Sequence, residues 1–209
     1  MYSPSHFDEC RPQLMHGLIA QHPLGTIITH GAGGLEANHI PFELCSATPD
    51  APFGLLRAHV ARANPLWQHE GETLVVFQGQ SAYVSPSLYE DKPLTGKVVP
   101  TWNYMAVHAH GTLRGIEDPA WILAQLERLT LQHESARPAP WSVHDAPREF
   151  IDKLLAAIVG IEIPVQRMQG KWKVSQNRSE RDQRAIATDT GMATISSFEG
   201  ALLRAGMGS

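Results

Sequence analysis

The spacing of apolar positions changes along the chain, and each change marks an expected element. Over residues 8–21, Leu14, Leu18 and Ile19 recur at helical spacing with Met15 beside them. Pro12 falls in the first turns, where proline is tolerated, and Pro23 stops the run. From residue 25 the texture is short and β-branched (GTIITH). Gly31, Gly33 and Gly34 form a turn, and residues 35–44 resume as a strand, which reads as a hairpin. Further strands are expected over 53–60, 73–78, 82–85 and 98–113, with a short helical segment over 64–70. Asp118-Pro119 opens a helix, aspartate as cap and proline at the first helical position, with Trp121, Ile122, Leu126 and Leu129 as its apolar face. A second helix follows Pro147 through Phe150, Leu154 and Ile158 and ends at Gly160. Residues 161–165 return to a strand. From Ser179 the pattern is helical and polar, and the last residues, 206–209, read as a frayed tail. Strands, then helices, then a closing strand predict an α+β protein, mainly β: a β-barrel decorated by helices and not an alternating parallel sheet.

Composition narrows the classes. At 209 residues the chain can form one substantial domain, alone or with a short helical appendage. A formal net charge of -4 disfavours nucleic acid as a partner held by bulk charge. Two cysteines, Cys10 and Cys45, are too few for a disulfide framework. The first residues carry no signal peptide pattern, and no run is long and apolar enough to cross a bilayer, so a cytoplasmic protein is expected.

Three segments hold polar groups that a core does not require. In 59–65 (HVARANP), Arg62 stands beside a helix start, where a guanidinium and free N–H groups suit a phosphate. A solvated arginine and a simple asparagine cap fit equally well. In 98–104 (VVPTWNY), Trp102 and Tyr104 share one strand face, with Thr101 and Asn103 on the other. That combination suits a flat heteroaromatic ligand, although an aromatic sealing a barrel end is the plainer reading. In 171–178 (KWKVSQNR), an extended chain puts Lys171, Lys173 and Ser175 on one face, able to reach phosphate or the polar edge of a ring. A solvated loop with capping residues is the alternative. Continued by Arg181 and Arg184, this stretch is also the one DNA-facing patch to consider, but Glu180 and Asp182 interrupt it. The 11 histidines show no zinc or HExxH grouping, so no metal is assigned, and no serine or cysteine stands in a nucleophile elbow.

Taken together, Met1-Tyr2-Ser3-Pro4, Asn38-His39-Ile40-Pro41, HVARANP (59–65), FQGQSAYVSP (77–86), VVPTWNY (98–104), PWSV (140–143) and GKWKVSQNR (170–178) resemble the PaiB family of FMN-binding negative transcriptional regulators. The likeness covers nearly the whole chain in order. It departs at Leu88, where the family's SPSWY-like run carries tryptophan. The resemblance implies an FMN-binding split β-barrel working as a homodimer. Residues 1–178 would form the barrel domain, with helices inserted over 118–158, and 179–209 a C-terminal helical appendage. It implies that His59, Arg62 and Asn64 lie by the phosphate, with Asn38 and His39 facing the cofactor from the adjacent strand. Trp102, Asn103 and Tyr104 would line the groove, and Lys173, Ser175 and Gln176 would approach from the closing segment. No catalytic residue is assigned. A flavin-dependent oxidoreductase and a haem-binding split barrel are the alternative functions.

Overall fold

The computed structural model describes residues 1–204; the tail read as frayed at 206–209 lies outside them. The described residues form nine strands, six α-helices and four short 3-10 turns. In chain order the strands and helices are β1 (Asp8–Glu9), α1 (Pro12–Gln21), β2 (Leu24–Gly31), β3 (Gly34–Pro41), β4 (Glu43–Cys45), β5 (Leu55–Ala61), β6 (Glu72–Val84), α2 (Asp91–Thr95), β7 (Thr101–Thr112), β8 (Arg114–Ile116), α3 (Pro119–Glu134), α4 (Arg148–Ala156), β9 (Ile158–Lys173), α5 (Glu180–Thr190) and α6 (Ile195–Arg204). The strand order is β3-β2-β6-β7-β9-β5-β4, with β1 and β8 also on β9. The α+β, mainly β class is therefore as expected.

Two compact units divide the chain. One comprises Met1–His22, Phe77–His108 and the chain from Gln169 onward. Its α1 buries Leu14, Met15, Leu18 and Ile19, the stripe that the sequence spacing marks. Leu202 of α6 packs so close to Gly17 that a Cβ there would overlap it. Trp172 is fully buried, and its ring meets Phe198 edge-on at 6.0 Å. Buried Glu9 takes two hydrogen bonds from the Arg11 guanidinium, which also reaches Glu199 of α6 at 2.5 Å.

The second unit comprises Pro23–Val76 and Ala109–Met168. The β2–β3 hairpin pairs from Leu24↔Pro41 to Gly31↔Gly34, and β5 pairs with β9 from Leu55↔Pro164 to Ala61↔Ile158. Both β2 and β5 alternate buried and open positions, the period-2 signature of a half-covered sheet. Asp118 caps α3 by accepting from Ala120 N at 2.9 Å, with Pro119 in the first turn. Ile122, Val143, Ile151 and Leu155 then close a helical cluster with Trp121 and Leu126 against it.

Several expected boundaries move, each for a local reason. The helix expected from residue 8 begins at Pro12, because Asp8 and Glu9 pair with Lys171 and Gly170 as β1. The two strands expected over 73–78 and 82–85 are one, β6: Gly79 does not break it but admits Leu18 and Met105. The helical segment at 64–70 is a 3-10 turn, Pro65–Gln68. Gly160 does not end α4; it lies within β9, where Trp121 occupies the space of its missing side chain. That strand runs on to Lys173, far beyond the expected residue 165.

Gly111 tests the close packing of the second unit. A Cβ at this position would overlap the Pro164 carbonyl oxygen and crowd Ile163, and neither backbone nor branched side chain yields easily. Gly111→Ala is expected to lower stability by about 1–3 kcal/mol in urea unfolding. Gly33→Ala, where nothing lies within 4 Å, should change it by less than about 0.5 kcal/mol.

Candidate functional site

The sequence-predicted residues fall into two sets, one in each unit. In the second unit, Asn64 caps the Pro65–Gln68 turn: its Oδ1 accepts from Leu66 N at 3.0 Å. Its amide nitrogen donates to Asn38 Oδ1 at 2.8 Å, so β3 and the turn are tied by paired amides. The Asn38 amide nitrogen is buried and has no partner. An unpaired buried donor costs about 1–3 kcal/mol, which an acceptor-bearing ligand would recover. His39 is exposed and bonds Thr26 Oγ1 at 3.0 Å, while His59 turns instead to Gln125 of α3 at 2.9 Å.

Arg62 has acquired protein partners. Its Nη1 meets Glu117 Oε2 at 2.5 Å, Nε donates to the Ala156 carbonyl at 3.0 Å, and Nη2 reaches the Ile158 carbonyl at 3.4 Å. The Arg62 carbonyl accepts from the Trp67 indole at 3.1 Å. The guanidinium thus clamps the strand-to-turn junction to the chain between α4 and β9, and its charge is matched by a carboxylate.

In the first unit, alternation along β9 buries Trp172 on one face and turns Lys171 and Lys173 to the other. Lys171 is only 8% exposed, yet no carboxylate among the described residues pairs with it. Its ammonium donates to the Tyr2 carbonyl at 3.0 Å and lies 5.8 Å from the Tyr2 ring and 5.3 Å from the Tyr104 ring. Asp8, opposite it in the β1–β9 register, takes the Cys10 thiol instead. Lys173 donates to Thr101 Oγ1 and to the Trp102 carbonyl, the latter at 2.7 Å. Burial pushes its pKa below the usual lysine value, Tyr104 opposes this, and the nearby Lys171 charge adds to it.

Ser175 stands just past the end of β9 in a left-handed conformation, φ 63°, so the single-face reading of 171–175 stops at Lys173. Its buried hydroxyl accepts from the Asn103 amide nitrogen at 2.8 Å. Asn103 is 2% exposed, and its Oδ1 is left without a partner. Gln176 accepts from Val174 N and donates to the carbonyls of His6 and Trp172, tying the turn to the N-terminal segment. Trp102 is 58% exposed, with Tyr83 edge-on at 6.1 Å. Lys171, Tyr2 and Thr101 are the members that the residue-level reading underweights, because their roles depend on β1 and β7 lying beside β9. The two thiols are poor redox groups: a hydrogen bond to Asp8 raises the Cys10 pKa, and burial raises that of Cys45.

Each unit by itself holds groups that suit a flavin. The first has a free buried acceptor at Asn103, two ammonium groups without an ion pair and exposed aromatic rings, and the second has a free buried donor at Asn38. The fold is that of flavin-binding split barrels. The FAD- and haem-binding protein of Mycobacterium smegmatis superposes with a TM-score of 0.59 at 16% identity, covering 85% of this chain and 78% of the other. The flavocytochrome Anf3 of Azotobacter vinelandii gives 0.58 at 13%, covering 86% and 75%. The model of the family described as "Putative FMN-binding domain" matches residues 1–167. The Bacillus subtilis protein named "Protease synthase and sporulation protein PAI 2" is 31% identical over 87% of this chain and 85% of its own length. An uncharacterised Aspergillus fumigatus protein is 34% identical over 89% of each chain. The chain belongs to this FMN-binding, PaiB-type family, and FMN is its cofactor.

A titrating histidine in the second unit gives a test of these electrostatics. His110 receives an Arg167 N–H at 2.9 Å and has Glu72 at 3.5 Å; burial, then the Arg167 charge, lowers its pKa below 6.5. The native protein therefore favours neutral His110, and the unfolded chain binds the proton more readily. Stability is unaffected well above pH 6.5 and falls as pH drops below it. His22, also lowered by burial, acts in the same direction. Urea midpoints measured from pH 8 to pH 5 should fall less steeply for His110→Gln than for the wild type.

Proposed function

We propose that the chain is an FMN-binding negative regulator of transcription that responds to flavin redox state or to a metabolite and works as a cytoplasmic homodimer. The observation that carries this reading is the 31% identity, over most of both chains, to the Bacillus subtilis PAI 2 protein. FMN supplies electron and hydride transfer when bound; the chain's residues supply binding and orientation. In this reading Asn103 Oδ1 accepts from the ring N–H or a ribityl hydroxyl. Lys173 and Ser175 hold the segment that carries it, Gln176 holds the turn after β9, and Trp102 and Tyr104 offer aromatic faces. Within the second unit, taken by itself, Asn64 holds the Asn38 side-chain oxygen and leaves its amide nitrogen as a donor for a ligand, with His39 on the same strand. Redox sensing falls to the flavin, since both thiols stay protonated at neutral pH.

The second copy is assigned to the exposed apolar surface of the first unit, where Tyr2, Tyr83, Val99 and Trp102 are each at least half exposed. Sedimentation of the full chain with FMN should show one species of two chains with flavin absorbance travelling in it. A monomer that carries flavin would remove the dimer from this reading, and a colourless protein that takes up no FMN would remove the cofactor site.

Regulation is proposed to pass through a partner more than through direct DNA contact. Much of the basic stretch is turned away from a nucleic acid within the first unit. Lys171 is buried, Arg178 lies 4.7 Å from the Tyr89 ring, and Arg181 pairs with Glu90. Anisotropy titration with genomic fragments is expected to show weak, unselective binding. Tight, salt-sensitive binding to one fragment would reverse that conclusion.

A further inference from the structure

The first unit contains a pair of charges that the fold leaves unbalanced. Lys171 and Lys173 are two residues apart on the same strand face, close enough for the charge on one to depress the pKa of the other. Neither pairs with a carboxylate among the described residues. Of the nearest candidates by sequence and register, Glu9 is ion-paired with Arg11, and Asp8, which is exposed, accepts from the neutral Cys10 thiol and forms no ion pair with either lysine. Burying an ammonium is costly unless a counter-charge accompanies it, and Lys171 is more than nine-tenths buried. What it has instead is a backbone carbonyl and two ring faces. Thr101 Oγ1 accepts from Lys173 and so keeps its own hydrogen free to donate. The surroundings thus hold two cations and a hydroxyl donor, and neither cation is ion-paired, although the exposed Asp8 carboxylate stands opposite Lys171 in register.

Arg62 presents the opposite case. Its guanidinium already donates to a carboxylate and two carbonyls, and an incoming anion would meet Glu117 as well. We infer that the phosphate monoester of FMN is taken by Lys171, Lys173 and the Thr101 hydroxyl, and that Arg62 is a structural clamp. This rests on the reading that the chain binds FMN. The charge count agrees: a phosphate monoester carries close to two negative charges near neutral pH, and the two lysines supply two positive ones. Lysine serves phosphate as a point charge and needs no bidentate geometry.

The experiment is a titration of the full chain with FMN and with riboflavin, which lacks the phosphate, together with inorganic phosphate as a competitor. The wild type should prefer FMN to riboflavin, and phosphate should compete with FMN. Lys173→Gln should weaken FMN by roughly tenfold to a hundredfold with riboflavin unchanged, so that the preference disappears. Lys173→Arg should keep most of it, and Lys171→Met should reduce it in the same sense. Arg62→Gln should lower stability but leave the FMN-to-riboflavin ratio as in the wild type. The inference is overturned if the ratio survives both lysine substitutions, or if Arg62→Gln alone abolishes it. A wild type that binds neither flavin overturns the cofactor reading. In that event, a rise in melting temperature with inorganic phosphate that Lys173→Gln loses would still uphold an anion site, and no rise would remove it.

Discussion

Strand β9 is the constraint on which the other elements depend. Its sixteen residues pair with β1 at one end and with β5 and β8 towards the other. Side chains alternate strictly along a strand, so a slip of one residue would move Trp172 to the face that the lysines occupy and put both lysines on the face where Trp172 packs. The β5 pairing in the second unit, from Leu55↔Pro164 to Ala61↔Ile158, and the short β1 pairing in the first both fix this register. Tryptophan burial and lysine presentation are therefore one decision, made by the backbone.

Much of this was legible in the residues. Period-3.6 stripes located α1 and α3, and the Asp118-Pro119 pair located the α3 start to the residue. The motifs, read as a set, named the family and hence the fold and cofactor. The boundaries that moved are those where a distant segment overrides local signal. Gly79 and Gly160 are breakers by composition, yet each sits in a strand because another side chain fills its space. Residues 8 and 9 extend a helical pattern, but β9 offers them a strand partner.

The phosphate question shows the same limit in chemistry. Arg62 looks like an anion ligand because of the residues beside it in sequence. Its occupancy is decided by Glu117 and by carbonyls 156 and 158, far along the chain. Lys171 looks like a solvated residue in a basic run, and only burial with no carboxylate partner reveals its charge as unspent. Charge type can be read from sequence; charge balance needs the fold.

The Asn103–Ser175 hydrogen bond has a consequence for how the family can vary. Position 175 is restricted by its backbone, which glycine or asparagine tolerates most easily, and by its side chain, which must accept from a buried amide. Glycine meets the first demand and fails the second. Position 103 is tied to the same choice, since an apolar residue there would strand the serine hydroxyl. The two sites, 72 residues apart in the chain, are thus one heritable unit. A neutral path between alternatives must change both, and substitutions taken singly at either site should be far rarer among relatives than the chemistry of each position alone allows.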